Sequence, residues 1–455
     1  MRPYWFWGNN KMRLFLHLLI SLLPTALLAQ AVPGPLTDAD FPEPAIEEVE
    51  LGRLLFWDAE LSGNRNISCG TCHHPRFGSS DGLSLGIGEG GVGLGPERRP
   101  DPENYPEQRI PRNSPALWNV GATGFTVLFA DGRIEHDQAR PSGFRTPLED
   151  EMVEGFNSLL AAQTMFPVLS QDEMAGHYNE NDISRLVRSG RITGADGAWA
   201  AIAARIAAIP EYRDMFHAVY PETADGRAIT FADISNAIAA YMAFDFRSDT
   251  SAFDEYLRGE SLLDRAALAG MELFYGKAEC AVCHSGPLLT DMSFHAMGDA
   301  QIGPGKAERF ESHQRDTGRA RVTNQTVHTY SFRTPSLRNV TLTAPYGHAG
   351  AIADLKTYIS THVARGNDLE MYRLENAVLP RMKISKPDFA PDPSAADFRA
   401  ISVAASKTRI VSPNLTDSEI DDILAFLKSL EDPIARDGGR MGIPEKVPSG
   451  LPVDH

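Results

Sequence analysis

Cys69-Gly70-Thr71-Cys72-His73 and Cys280-Ala281-Val282-Cys283-His284 are two C-x-x-C-H pentapeptides, and together they use all four cysteines of the chain. The spacing is the attachment signal of a c-type haem: two thiols add to the vinyl groups, and the following histidine becomes the proximal iron ligand. A zinc ribbon needs its two knuckles close together, whereas these lie more than two hundred residues apart. A redox dithiol needs no histidine after the second cysteine. Two covalent haems are therefore expected, on Cys69, Cys72 and His73 and on Cys280, Cys283 and His284.

Such haems are attached outside the bacterial cytoplasm, and the N-terminus agrees. Lys11 and Arg13 precede an apolar run from Leu14 to Leu28, and Ala29-Gln30-Ala31 offers small residues for cleavage. Residues 1–31 read as a signal peptide and the mature chain as periplasmic. His17 and Pro24 interrupt the run, which is short for a membrane anchor. The chain carries a net charge of −17, which disfavours nucleic acid and an anionic membrane surface. The same charge suits steering of a basic redox partner or plain solubility.

The elements that must position the two motifs repeat. Glu50 to Trp57 precedes the first motif and Ala269 to Tyr275 the second, both with helical apolar spacing. Pro111 to Val120 is echoed by Phe332 to Val340, and Phe129 to Ile134 by Gly347 to Ile352. Each half should close with an amphipathic helix. The first runs from Thr230 to Phe246; the second opens on a Thr416/Glu419 capping box and runs through Leu430. Glu97 to Pro115 is a proline-rich loop, and 165–197 and 371–413 are polar excursions. The expected fold is mainly α and loop-rich, two cytochrome c-like haem domains arising from duplication. The N-terminal domain would span 32–248, the C-terminal domain 249–435 and a tail 436–455.

These stretches, with Leu61-Ser62-Gly63-Asn64, Arg112-Asn113, Asp131-Gly132-Arg133, Glu151-Met152 and Pro345-Tyr346-Gly347-His348-Ala349-Gly350, resemble the bacterial dihaem cytochrome c peroxidase family, which includes the MauG-type enzymes. The resemblance implies that the N-terminal haem meets hydrogen peroxide and the C-terminal haem feeds it electrons from a small cytochrome c or cupredoxin. It implies a calcium ion held by the Asn113 side chain and the Thr343 and Pro345 carbonyls, all hard oxygen donors. It makes Glu151 the distal acid–base group, with Glu149 and Asp150 as neighbours in register.

The chain departs from that pattern in three places. Where the peroxidases carry a removable histidine, the loop reads Ile87-Gly88-Glu89-Gly90-Gly91. The first iron is then expected to have an open or water-filled sixth position, with His136 as the alternative ligand. In the family the second haem's sixth ligand, Met in typical peroxidases and Tyr in MauG, stands fourteen residues beyond the position of His348. By that resemblance it falls here on His362, on one helical face with Leu355 and Ile359. It is the expected sixth ligand of the second iron, with Met371 and His348 competing. Where relatives bridge the haems with tryptophan, this chain has Ala130, leaving Trp118 as the nearest substitute. Three functions are compatible with these residues: a peroxidase, a MauG-like oxidase acting on Tyr or Trp of a partner protein, and a dihaem electron carrier. The sequence leaves a homodimer open.

Overall fold

The computed structural model describes residues 31–152, 154–306, 315–364, 374–383, 396–408 and 413–455. The leader up to Gln30 and the competing ligand Met371 lie outside them. Among the described residues no helix is long and apolar enough to cross a membrane.

Two helix pairs organise the chain. α1 (Ile46–Trp57) packs against α2 (Phe231–Asp245), and α3 (Arg265–Tyr275) against α5 (Asp417–Lys428). Between them in sequence, α4 (Leu355–Ala364) lies beside α5. Both closing helices start on capping boxes, the second of which its sequence announces. Thr230 and Asp233 cap α2, and Thr416 and Glu419 cap α5, with the Glu419 carboxylate 2.8 Å from the Thr416 amide. Each satisfies amides that the first helical turn leaves free.

The crossings match in detail. A Cβ on Gly52 would lie 1.8 Å from the Ala237 carbonyl oxygen, and one on Gly270 would lie 1.8 Å from that of Asp422. Glycine is needed at both because backbone meets backbone. The ends match too. Asn119 and Asn339 take the left-handed conformation (φ 62° and 60°), which Asn tolerates better than most residues. Their amides donate to the carbonyls of Phe246 and Leu430, and their side-chain oxygens accept from the amides of Ser248 and Asp432 at 2.7 Å.

Each pair centres a hydrophobic core. The first includes Leu51, Leu55, Phe56, Trp57, Ile234, Ile238 and Tyr241, and the second Phe253, Met271, Phe274, Ile423, Phe426 and Leu430. The chain passes from one to the other between Phe246 and Phe253. Its last residues return to the first core through Ala435 and Val447. Ser449 donates to Asp58 at 2.7 Å and Thr71 to Asp454 at 2.6 Å, so the tail closes over the first motif. Strands are short: Val127–Leu128, Ile134–His136 and Phe144–Arg145 form one small antiparallel sheet, and Phe294–His295 pairs with Phe332–Arg333.

Buried charge joins the halves. Arg112 reaches Asp316 at 2.6 and 2.9 Å and Asp131 at 2.7 Å. Arg319 grips Glu135 at 2.8 Å and the Gly132 carbonyl at 2.6 Å.

Candidate haem sites

Cys69–Cys72 forms a single helical turn, and Cys280–Val282 a tighter one. In both, the histidine amide donates to the first cysteine's carbonyl at 3.0 Å. The two imidazoles are fixed in the same manner. His73 Nδ1 faces the Ser79 carbonyl at 3.2 Å, and His284 Nδ1 faces the Leu289 carbonyl at 3.2 Å. An Nδ1–H donated to a carbonyl leaves the Nε2 lone pair for a metal. Burial, the main cause, pushes both imidazoles toward the neutral form, His73 below its ordinary value and His284 down to about 4. A matching clamp backs each ring: Ser80 donates to the Ser114 carbonyl and Thr290 to that of Thr334, both at 2.7 Å. The four thiols form no disulfide. Burial pushes Cys69, Cys72 and Cys280 up to about 12 and Cys283 to about 11.

Opposite His284 stands His362, carried by α4 and kept inward by Ile359. The two ring centroids are 6.5 Å apart. That span matches two metal–imidazole bonds of about 2 Å each plus the half-widths of two rings. Tyr358 stacks on His362 at 5.4 Å and donates to Asp299 at 3.3 Å. Asp299 in turn lies 3.9 Å from Nδ1 of both His362 and His348. Burial opposes its ionisation, and the two imidazoles override this, holding the carboxyl well below its ordinary range. His348 is stacked on Phe332, with centroids 3.8 Å apart, a contact within the second half.

In the first half, Glu89 is buried and not free to swing. Its Oε1 accepts from the amides of Asn64 at 2.7 Å, Asn66 at 2.8 Å and Asn104 at 2.5 Å. Arg98 ties the same loop down through the carbonyls of Ile87, Gly88 and Gly93. This cradle was not legible in the sequence, because Asn64 and Asn66 come from the segment before the first motif and Asn104 from the loop after Glu89. Glu151 ends a short turn, Glu149–Glu151, with its side chain exposed. Glu149 is engaged by Arg140, which separates the roles of these two neighbours. His136 is exposed on its strand, its ring 5.4 Å from Phe144. Trp118 is buried and donates to the Gly78 carbonyl at 2.8 Å. The Ala130 carbonyl accepts from the Arg333 amide at 2.8 Å.

Asn113 lies where the halves meet. Its amide nitrogen donates to the Leu83 carbonyl at 2.7 Å, which leaves its side-chain oxygen turned elsewhere, and its backbone amide donates to the His348 carbonyl at 3.0 Å. Thr343 turns its hydroxyl to the Val340 carbonyl at 3.0 Å. Pro345 follows a cis peptide bond. Oxygen donors from both halves are thus present on the segments that meet here.

Arg333 escaped the sequence reading. Burial lowers its guanidinium to about 10, and its partners are the Phe129 and Thr334 carbonyls and the Met292 sulfur. A half-buried cation served by neutral groups is costly and suits the carboxylates of a haem edge. Its signal in the sequence is only its place within the repeated stretch.

Residues 46–262 match the family described as di-haem cytochrome c peroxidase, a span that takes in the first motif and ends before the second. The cytochrome c551 peroxidase of Pseudomonas aeruginosa is 28% identical over 359 residues, covering 77% of this chain and 82% of that protein. The methylamine utilization protein MauG of Methylorubrum extorquens is 28% identical over 340 residues, covering 74% and 73%. The crystal structure of a MauG-like protein associated with microbial copper homeostasis superposes with a TM-score of 0.58 at 29% identity, covering 88% of this chain and 94% of that one. By these matches the chain is similar to the di-haem cytochrome c peroxidases and MauG proteins, and it is an oxidoreductase.

Proposed function

We propose that this protein is a periplasmic peroxidase that reduces hydrogen peroxide to water at its N-terminal haem and takes electrons through its C-terminal haem. The observation that carries this is the asymmetry between the sites. A second imidazole, His362, stands 6.5 Å from His284, whereas the loop that could close the first site holds Glu89 in three asparagine amides. Histidine on both sides makes the second haem an electron-transfer centre, and an open position makes the first one reactive. Bound haem supplies the redox chemistry. The chain attaches the first haem through Cys69 and Cys72 and the second through Cys280 and Cys283, and it presents Nε2 of His73 and His284. Arg333 is assigned to a haem carboxylate. Glu151 carries a proton from the near to the far peroxide oxygen, as one positioned carboxylate can do by turns. A calcium ion on Asn113, Thr343 and Pro345 is assigned to the seam between halves. The matched crossings at Gly52 and Gly270 and the matched Asn119 and Asn339 closures support origin by duplication.

Glu89's fixed position and the non-methionine ligand also favour a second reading, oxidation of a Tyr or Trp on a partner protein. It shares the site and differs in the electron source. The test is the absorption and electron paramagnetic resonance spectrum of the oxidised protein before and after peroxide. One high-spin and one low-spin haem are expected, with the high-spin set responding first. Two low-spin haems would overturn the assignment. Steady turnover of peroxide with a small cytochrome supports the peroxidase over the partner-oxidising enzyme.

A further inference from the structure

A chain of redox-capable side chains leaves the first haem motif and has no counterpart at the second. A Cβ on Gly70, between the two attachment cysteines, would lie 2.3 Å from the Trp57 ring. Glycine there lets the indole rest directly on the motif. Trp57 Nε1 donates to the Tyr241 hydroxyl at 3.2 Å, and that hydroxyl donates to Asp245 Oδ2 at 3.0 Å. All three side chains are about 1% exposed. The Met441 amide donates to Asp245 Oδ1 at 2.6 Å, so the returning tail covers the far end of the chain. In the second half the corresponding crossing places Tyr275, Phe426 and Leu430. The Tyr275 hydroxyl has no partner there, and neither Phe nor Leu can continue a proton path.

Satisfying a buried indole and phenol takes any acceptor, and a backbone carbonyl would serve. A buried carboxylate costs more and adds one capacity, that of receiving a proton. Burial raises the Asp245 carboxyl above its ordinary value, which strengthens it as an acceptor. We propose that Tyr241 is an internal one-electron donor to the first haem, with Trp57 as the stepping stone and Asp245 as the proton acceptor. This rests on the reading that the first haem meets peroxide.

Reduction of one peroxide to two waters takes two electrons and two protons. One electron comes from the first haem. When the second haem has none to give, the other leaves Tyr241 through Trp57. The Tyr241 hydroxyl proton passes to Asp245 Oδ2 as that electron departs, leaving a neutral tyrosyl radical beside a protonated carboxyl. Two later electrons from the donor, arriving through the second haem, reduce the radical and restore the first haem. The proton returns from Asp245 to Tyr241, and the two protons that the waters need come from solvent.

The test mixes oxidised holoprotein with one equivalent of hydrogen peroxide, without donor, and freezes it for electron paramagnetic resonance. The expected result is an organic radical whose line narrows when the protein carries ring-deuterated tyrosine. Tyr241→Phe should lose that signal while still consuming peroxide. Asp245→Asn keeps the side chain's shape and one acceptor oxygen, for the Tyr241 hydroxyl or the Met441 amide but not both. It takes no proton, and should slow radical formation about tenfold or more. Peroxide consumed with no tyrosine-sensitive signal, or a signal unchanged in Tyr241→Phe, overturns the proposal and leaves the peroxide site standing. A first haem whose spectrum ignores peroxide overturns the peroxide-site reading, and this one with it.

Discussion

At the scale of single residues, three carboxylates of the first half differ in what surrounds them. Glu89 is locked by amides, Glu149 is paired with Arg140, and Glu151 is exposed at the end of its turn. Only the last has a carboxylate without a fixed partner to give up. Glu151→Gln is therefore expected to slow the reaction with peroxide by roughly 10² to 10⁴, the usual worth of a positioned acid–base group, with both haem spectra intact. Glu149→Gln should leave the rate near the parent value. Stopped-flow absorption of the two variants checks this, and equal slowing in both would remove Glu151 from the role. His362→Ala should turn the second haem high-spin and slow turnover with an external donor. A low-spin signal that persists in that variant would pass the ligand to another residue. Both motifs were legible from residue type and spacing, and His362 from the family resemblance. The partners of Glu89 and the half-buried setting of Arg333 were not, because they come from residues far apart in the chain.

At the scale of elements, the helix pairs decide where the motifs stand. α1 ends on Trp57, whose ring lies against Gly70 of the first haem turn, and α3 ends five residues before Cys280, so the crossings bear on where the two turns sit. Gly52→Ala places a methyl against the Ala237 carbonyl, a backbone atom that cannot rotate away. Overpacking of this kind costs about 1–3 kcal/mol, and the upper end is expected here. Denaturant melts should show the loss, with an equal effect from Gly270→Ala if the two crossings are equivalent. A single sequence shows these glycines only as breaks in helical propensity. It also shows the Thr416/Glu419 capping box, which is local and so readable, and which formed as written; the Thr230/Asp233 box was not named from the sequence.

For the whole molecule, the seam between halves is held by buried ion pairs. Burial opposes ionisation of Asp131 and Asp316, and the Arg112 guanidinium overrides this, placing both carboxyls below their ordinary values. Groups depressed in the fold contribute stability that is fully present above the unfolded carboxylate value of about 3.9. That contribution is lost as pH falls through the lower folded values. The seam should thus hold at neutral pH and loosen in acid below about 4. Arg112→Met leaves buried Asp316 without its cation and Asp131 with Arg133 alone, at 3.4 Å, which costs about 3–5 kcal/mol. The expected outcome is a lower melting point at pH 7 and a much smaller further loss on acidification. An unchanged melt would mean that the pairs do not hold the halves together.

The sequence by itself determined the two C-x-x-C-H motifs, the paired stretches that flank them and the closing helices. Each of these depends on residue type at short spacing or on helical period, which one chain displays directly. Tertiary structure decided the rest: Glu89 in its asparagine cradle, the tail folded back over the first motif, Arg112 between two carboxylates, and the Trp57–Tyr241–Asp245 chain. Each of these joins residues from separate segments. Their meeting depends on how the helices cross, and the crossings are set by packing at Gly52 and Gly270, which no local pattern encodes.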